Sequence, residues 1–252
     1  MPSHLARRRR PGRLRVGLAA KGSAARARTE DAVNAAWERV HQELDAQGYA
    51  RIPGLLSAAA CDEVVALYGD AALFRSRVVM GRHGFGRGEY QYFADPLPPR
   101  VADLRRDVYP KLSGVANAWA ERSGLERRFP GTHADLRAEC AAAGQSRPTP
   151  LLLKYGPGDY NCLHQDLYGD LVFPLQLAIL LSQPGDDFEG GELVLTTQRP
   201  RMQSRVDVVP LARIIHWTSR PVSQPRELGP AFQHGHARLE LAIFERASGE
   251  RG

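Results

Sequence analysis

Cysteine is scarce in this sequence, with three in 252 residues (Cys61, Cys140 and Cys162). So few, so widely scattered, exclude a disulfide framework and a structural zinc site, and predict reduced thiols in a cytoplasmic setting. No uninterrupted apolar run approaches 18 residues, so no membrane-spanning helix is expected. The first 28 residues contain no acid at all but nine cationic side chains, from Arg7 to Arg28. The chain as a whole carries +6, so the other 224 residues carry −3. The basic character therefore belongs to an arm, and the folded body is slightly acidic. A high isoelectric point alone is no argument that this body binds nucleic acid. The apolar stretch within the arm is broken by Lys21, which argues against a secretory signal.

What is present divides the chain in two. Residues 1–28 read as a disordered basic arm, and 29–252 as a single domain. Thr29 can cap a helix whose apolar positions Val33, Trp37, Val40 and Leu44 recur at helical spacing, and Gly48 closes it. A short strand is expected near Tyr49–Pro53, a helix from Ser57 to Tyr68, and a glycine-rich β segment over 75–93. Helices follow from Val101 to Ser123 and near His133–Ala143. Residues 29–147 thus form a mainly helical support region. From Pro148 the pattern changes to short strands punctuated by Gly and Pro: LLLKYG, LVFPLQLAILLS, GGELVLTT, RVDVVPL and RLELAIF. Such a succession predicts a sandwich or barrel over 148–252, in an α+β chain with a mainly β core.

His164-Gln165-Asp166 carries the chemistry. On a strand, residues i and i+2 face the same side, so imidazole and carboxylate can enter one pocket. One His and one carboxylate from a strand, with a distant His, make the facial triad of a non-haem Fe(II) oxygenase. The surroundings sharpen this. Tyr155 and Gly158 form a Tyr-X-X-Gly stretch before His164, and Phe188, Gly190, Gly191 and Glu192 form a Phe-X-Gly-Gly-Glu turn after it. This ordered set resembles the 2-oxoglutarate/Fe(II)-dependent dioxygenase superfamily, most closely its prolyl-4-hydroxylase-like branch and uncharacterised bacterial members of it. The resemblance spans about residues 49–211 and includes FRSRVVM, HGFGRGEYQYF and RPRMQSR.

That resemblance implies a double-stranded β-helix, a cupin-like jelly-roll with flanking N-terminal helices. It implies Fe(II) held by His164, Asp166 and a distal histidine, 2-oxoglutarate as co-substrate, and ascorbate as an accessory reductant. The far carboxylate of 2-oxoglutarate needs a fixed cation, best an arginine, and Tyr155 can donate its hydroxyl there. The family pattern of Gly-Asp before the distal histidine is missing here. Two registers follow. His234 with Arg238 makes RLELAIF the last core strand, but only four residues separate the pair. His216 with Arg226 restores a ten-residue spacing, but leaves Pro230 in a closing strand, which a central strand tolerates badly. The first is preferred.

Three functions compete. The leading one is hydroxylation of a C–H bond in a prolyl residue of a protein, an amino acid or another small molecule. The second is oxidative demethylation of alkylated nucleic acid, with the arm holding phosphates. The third is a degenerate jelly-roll that binds without turnover. Gly84, Gly86 and Gly88 with Arg82 and Arg87 suggest a substrate loop or merely a flexible turn. His83, Tyr90 and Tyr92 suit a pocket mouth or core packing equally well. No role is read for Cys162.

Overall fold

A computed structural model describes residues 34–164, 171–197, 205–209, 214–217, 226–229 and 238–243, the last three segments by backbone path and pairing alone. Contacts cluster into two units, Met1–Arg39 and Val40–Gly252. Of the first, only the helical residues 34–39 are described.

Helix α1 covers 34–47, and its buried positions Val40 and Leu44 are among those expected from the periodicity. The two-residue strand β1 (Ile52–Pro53) leads to α2 (Ala58–Ala66), where the Ser57 hydroxyl accepts from the amide of Ala60. That side-chain cap satisfies one of the helix's otherwise unpaired donors. Strands β2 (Phe74–Val79), β3 (Gly86–Arg87) and β4 (Glu89–Phe93) follow. The long helix α3 (Pro99–Arg122) opens with proline, whose missing amide costs nothing in the first turn. It buries Val101, Leu104, Val108, Leu112, Val115 and Trp119 along one stripe. Helix α4 (His133–Ala142) is capped by Thr132.

The second half supplies β5 (Leu151–Tyr155), β6 (Tyr160–Asn161), β7 (Leu177–Leu180), β8 (Leu193–Thr197), β9 (Arg205–Val209), β10 (Ile214–Trp217), β11 (Arg226–Gly229) and β12 (Arg238–Ile243). Seven strands join in the order β1-β10-β7-β12-β5-β4-β2, three in the order β11-β8-β9, and β3 pairs with β6. Every one of these named strand pairs is antiparallel.

The strands expected near 49–53 and within 75–93 are present as β1, β2 and β4, and they extend the seven-stranded sheet at both ends. One element departs from the sequence reading: the apolar run 171–182 yields only a four-residue strand. Pro174 cannot donate to a ladder. Phe173 is buried instead against Tyr109 and Phe129, with ring centroids 5.0 and 5.1 Å away.

One face of the large sheet carries Leu152, Lys154, Gln91 and Phe93, the other Leu151, Leu153, Tyr155, Tyr90 and Tyr92. On the first face Tyr68, just after α2, donates to Glu89 at 2.8 Å and receives the Gln91 amide on its carbonyl at 3.1 Å. Burial, reinforced by the adjacent Glu89, raises the Tyr68 pKa. On the helical side, the Asp45 carboxylate of α1 accepts from Trp119 Nε1 at 2.5 Å and from Arg122 at 2.5 and 3.0 Å. The Arg122 hydrogen bond lowers the Asp45 pKa below its ordinary value, outweighing partial burial.

A depressed carboxylate stabilises the fold above its unfolded-state pKa, and that contribution is lost as pH falls through the folded value. Asp45→Asn is therefore expected to cost about 1 kcal/mol at neutral pH. The difference from the unsubstituted protein should vanish at acid pH, as followed by thermal denaturation across the pH range.

Candidate active site

Tyr155 ends β5 and is buried in a cluster with Met80, Leu151 and Leu153, against which Tyr90 and Tyr92 pack. The chain then reverses. Gly158 takes a φ of 79°, and the Asp159 carboxylate accepts from the Gly156 amide at 2.7 Å. The Tyr-X-X-Gly stretch is thus the turn that sends β5 back toward His164. Strand β6 pairs with β3, Gly86 opposite Asn161 and Arg87 opposite Tyr160. The Cys162 amide donates to the Phe85 carbonyl at 2.9 Å, extending the ladder.

This close approach dictates glycine at two positions. A Cβ on Gly86 would stand 2.2 Å from the Tyr160 carbonyl oxygen, and one on Gly88 would stand 2.9 Å from the Tyr155 ring. Both residues also hold positive φ, 118° and 112°.

His164 follows, its Nδ1 2.7 Å from the Cys162 carbonyl oxygen. A carbonyl can only accept, so Nδ1 carries the proton, and in the neutral ring Nε2 bears the lone pair. Fixing one ring nitrogen in this way is how proteins orient a metal-binding imidazole. Asp166 lies outside the described residues. The described chain resumes at Leu171, where the Gln145 side chain holds both backbone groups: its Oε1 accepts from the Leu171 amide at 3.1 Å and its Nε2 donates to the Leu171 carbonyl at 3.2 Å. Gln145 is itself buried. The segment carrying Asp166 is therefore bounded by two tethers, one at Cys162–His164 and one at Leu171. Sequence reasoning missed Gln145, because its partner is 26 residues away and nothing local marks it.

The Phe-X-Gly-Gly-Glu turn also has a structural meaning. Phe188 is buried, its carbonyl accepts from the Gly185 amide at 2.9 Å, and Gly190 and Gly191 hold φ of 73° and 70° before β8 begins.

The candidate distal residues divide by register. Arg238 pairs directly with Tyr155 and shares its face of the sheet. His216 pairs with Ala178, which pairs with Ala242, which pairs with Leu151, so His216 occupies a register position on that same face. Arg226 begins β11 in the three-stranded sheet. That strand ends at Gly229, so the described strand stops before Pro230. His234 lies outside the described residues. Among the described residues no group of three or more His, Cys, Asp or Glu side chains is gathered at metal-binding distance.

Residues 88–241 match a family described as an oxygenase catalysing oxidative methylation of damaged DNA. The chain belongs to this family. Oxygenases are oxidoreductases, and solved structures from the 2-oxoglutarate/Fe(II) class share the fold of this chain. Uncharacterized proteins from two strains of Mycobacterium tuberculosis are each 48% identical to the oxygenase over 128 residues, which is 50% of this chain and 55% of theirs. The match thus takes in about half the length of these relatives.

In fold, the oxygenase is similar to a Pseudomonas putida prolyl-4-hydroxylase, with a TM-score of 0.53 at 15% identity over 84% of this chain and 100% of the other. It is also similar to a 2OG-Fe(II) oxygenase-family oxidoreductase from Burkholderia pseudomallei, with a TM-score of 0.51 at 14% identity over 86% and 94%.

Gln145→Ala removes both bonds to Leu171 and leaves a partly buried amide and carbonyl to find water. A loss of about 1–3 kcal/mol in folding stability is expected. On the reading that His164 and Asp166 ligate iron, iron binding should weaken by roughly tenfold as well. Thermal denaturation and an anaerobic iron titration measure the two effects.

Proposed function

We propose that this oxygenase uses Fe(II) and 2-oxoglutarate to oxidise a C–H bond on an alkylated base in nucleic acid. The observation that carries the metal site is the His164 Nδ1 bond to the Cys162 carbonyl, which commits one ring nitrogen and directs the other to ligation. The donor set fits the metal: an imidazole of defined tautomer, with Asp166 two residues on and a distal histidine completing a two-His-one-carboxylate face. His234 is the preferred distal ligand, and His216 the alternative. The fold proposed is a double-stranded β-helix, with the seven- and three-stranded sheets as its two walls and residues 29–252 as its single domain.

Iron and 2-oxoglutarate, when bound, supply the oxidation: dioxygen is split between succinate, formed with CO₂, and the substrate C–H bond. The chain's own residues do the rest. Arg238, opposite Tyr155, is proposed to bind the far carboxylate of 2-oxoglutarate, where a guanidinium fork is matched to a carboxylate. Tyr155 is proposed to donate its hydroxyl to the same group. Met80, Leu151 and Leu153 present an apolar wall that excludes water from the chelate.

The choice of substrate rests on the family description, which names damaged DNA. The proline-directed reading draws only on structures of about 15% identity, and these speak for fold. The basic arm over 1–28 suits a phosphate-bearing partner on this reading.

Anaerobic titration of Fe(II) with 2-oxoglutarate is expected to develop the weak visible charge-transfer band of the chelate. Admission of oxygen should then consume 2-oxoglutarate. His164→Ala is expected to abolish the band, and only one of His234→Ala and His216→Ala should do the same. An intact, folded protein with no band would overturn the enzyme reading in favour of a binding protein.

A further inference from the structure

The glycine hairpin over 80–88 joins rigid construction to an unusual surface. Its base is fixed by Met80, which is fully buried, by the Met80 amide donating to the Gly88 carbonyl at 3.0 Å, and by the β3–β6 ladder. Its turn is closed by the His83 and Phe85 amides, both donating to the Met80 carbonyl at 3.0 and 3.2 Å. The glycines allow the backbone to lie against Tyr155 and Tyr160, as the clashes of an added Cβ demonstrate. The hairpin is therefore a built arm bonded to the strand that delivers His164.

At its tip, Arg82, His83, Phe85 and Arg87 are all exposed. Phe85 is 47% exposed, the only exposed phenylalanine among the described residues. The His83 and Phe85 rings stack with centroids 5.4 Å apart and planes 21° from parallel. Leu163, adjacent to His164, adds a further 45%-exposed apolar side chain. Residues 80–88 contain two arginines and no acid, and among the described residues neither arginine has an ion-pair partner. The nearest carboxylate in sequence, Glu89, is engaged by Arg77 and Tyr68 on the opposite face of the sheet. A local cationic, aromatic tip thus stands on a body whose net charge is −3.

Exposed aromatic rings flanked by unneutralised cations are the chemistry that holds single-stranded nucleic acid: bases stack on the rings and phosphates meet the cations. A proline-rich peptide would use the rings but has no need of the arginines. We propose that the 80–88 hairpin is a stacking platform for the single-stranded nucleotides flanking the reacting base. It would grip the strand through Phe85 and His83 and hold its phosphates with Arg82 and Arg87. This deepens the nucleic-acid reading given above and rests on it.

The test uses the full chain without iron and a fluorescein-labelled 15-nucleotide oligothymidylate. Anisotropy is read at about 0.3 M salt, where long-range attraction to the basic arm is largely screened. Phe85→Ala is expected to weaken binding by roughly 5- to 100-fold, and Phe85→Trp to preserve it. The double variant R82Q/R87Q should reduce the slope of log affinity against log salt by about 1.4, the value for two phosphates on a single strand. R100Q/R106Q, which removes equal charge from exposed sites on α3, should leave the slope unchanged.

Binding by Phe85→Ala within twofold of the unsubstituted protein, or no oligonucleotide binding by the unsubstituted protein, would overturn the platform. So would loss of affinity for a proline-rich peptide with oligonucleotide binding intact. The Fe(II)–2-oxoglutarate band should be the same in Phe85→Ala as in the unsubstituted chain. Absence of that band in the unsubstituted chain would defeat the oxygenase reading separately, whatever the oligonucleotide result.

Discussion

His164 is held by a carbonyl whose own residue is held in turn. The Cys162 carbonyl accepts from His164 Nδ1, the Cys162 amide donates to Phe85, and Phe85 belongs to a hairpin anchored on buried Met80. Each link is an ordinary hydrogen bond, worth about 1 kcal/mol net in stability. Their value lies in sequence: remove the ladder and the imidazole loses the constraint that selects its tautomer and direction. The glycines at 86 and 88 are the steric condition for this chain of contacts, since any side chain there meets Tyr160 or Tyr155. Much of the first half of the molecule can be understood as the foundation for that ladder.

A second constraint meets the first from the other side. Gln145, at the end of the helical region, clamps Leu171, while Phe173 is wedged between Tyr109 and Phe129. Asn117 of α3 fixes Phe129 in the same bidentate manner, through its amide and its carbonyl. The helices therefore do more than cover a sheet. They determine where the chain re-enters after the segment that bears Asp166.

The parts of this arrangement legible in the sequence were those with local signatures. Helix α1 was legible from the apolar spacing of Val40 and Leu44, α2 from Ser57 at its start, and α3 from the prolines that precede it, while β5, β8, β9 and β12 were legible as apolar runs. Tyr155, Gly158, His164 and the Phe-X-Gly-Gly-Glu turn formed a recognisable order, and the family match bears out the kinship they suggested. Strands β10 and β11 went unread because IIHW and RELG are four residues each and show no alternation over that length. Pro230, on which the choice between the two registers turned, lies outside the described residues. The Gln145 clamp and the β3–β6 ladder are pairings between distant residues with no periodicity, so only the three-dimensional path discloses them.

The most direct test of the account is anomalous diffraction at the manganese edge from crystals prepared anaerobically with Mn(II), as a redox-inert stand-in for iron, and 2-oxoglutarate. One strong peak is expected at roughly 2–2.5 Å from His164 Nε2, in the range of metal–ligand bonds, with Nδ1 still donating to the Cys162 carbonyl. A peak bonded to Nδ1, or a metal bound elsewhere with His164 uninvolved, would contradict it.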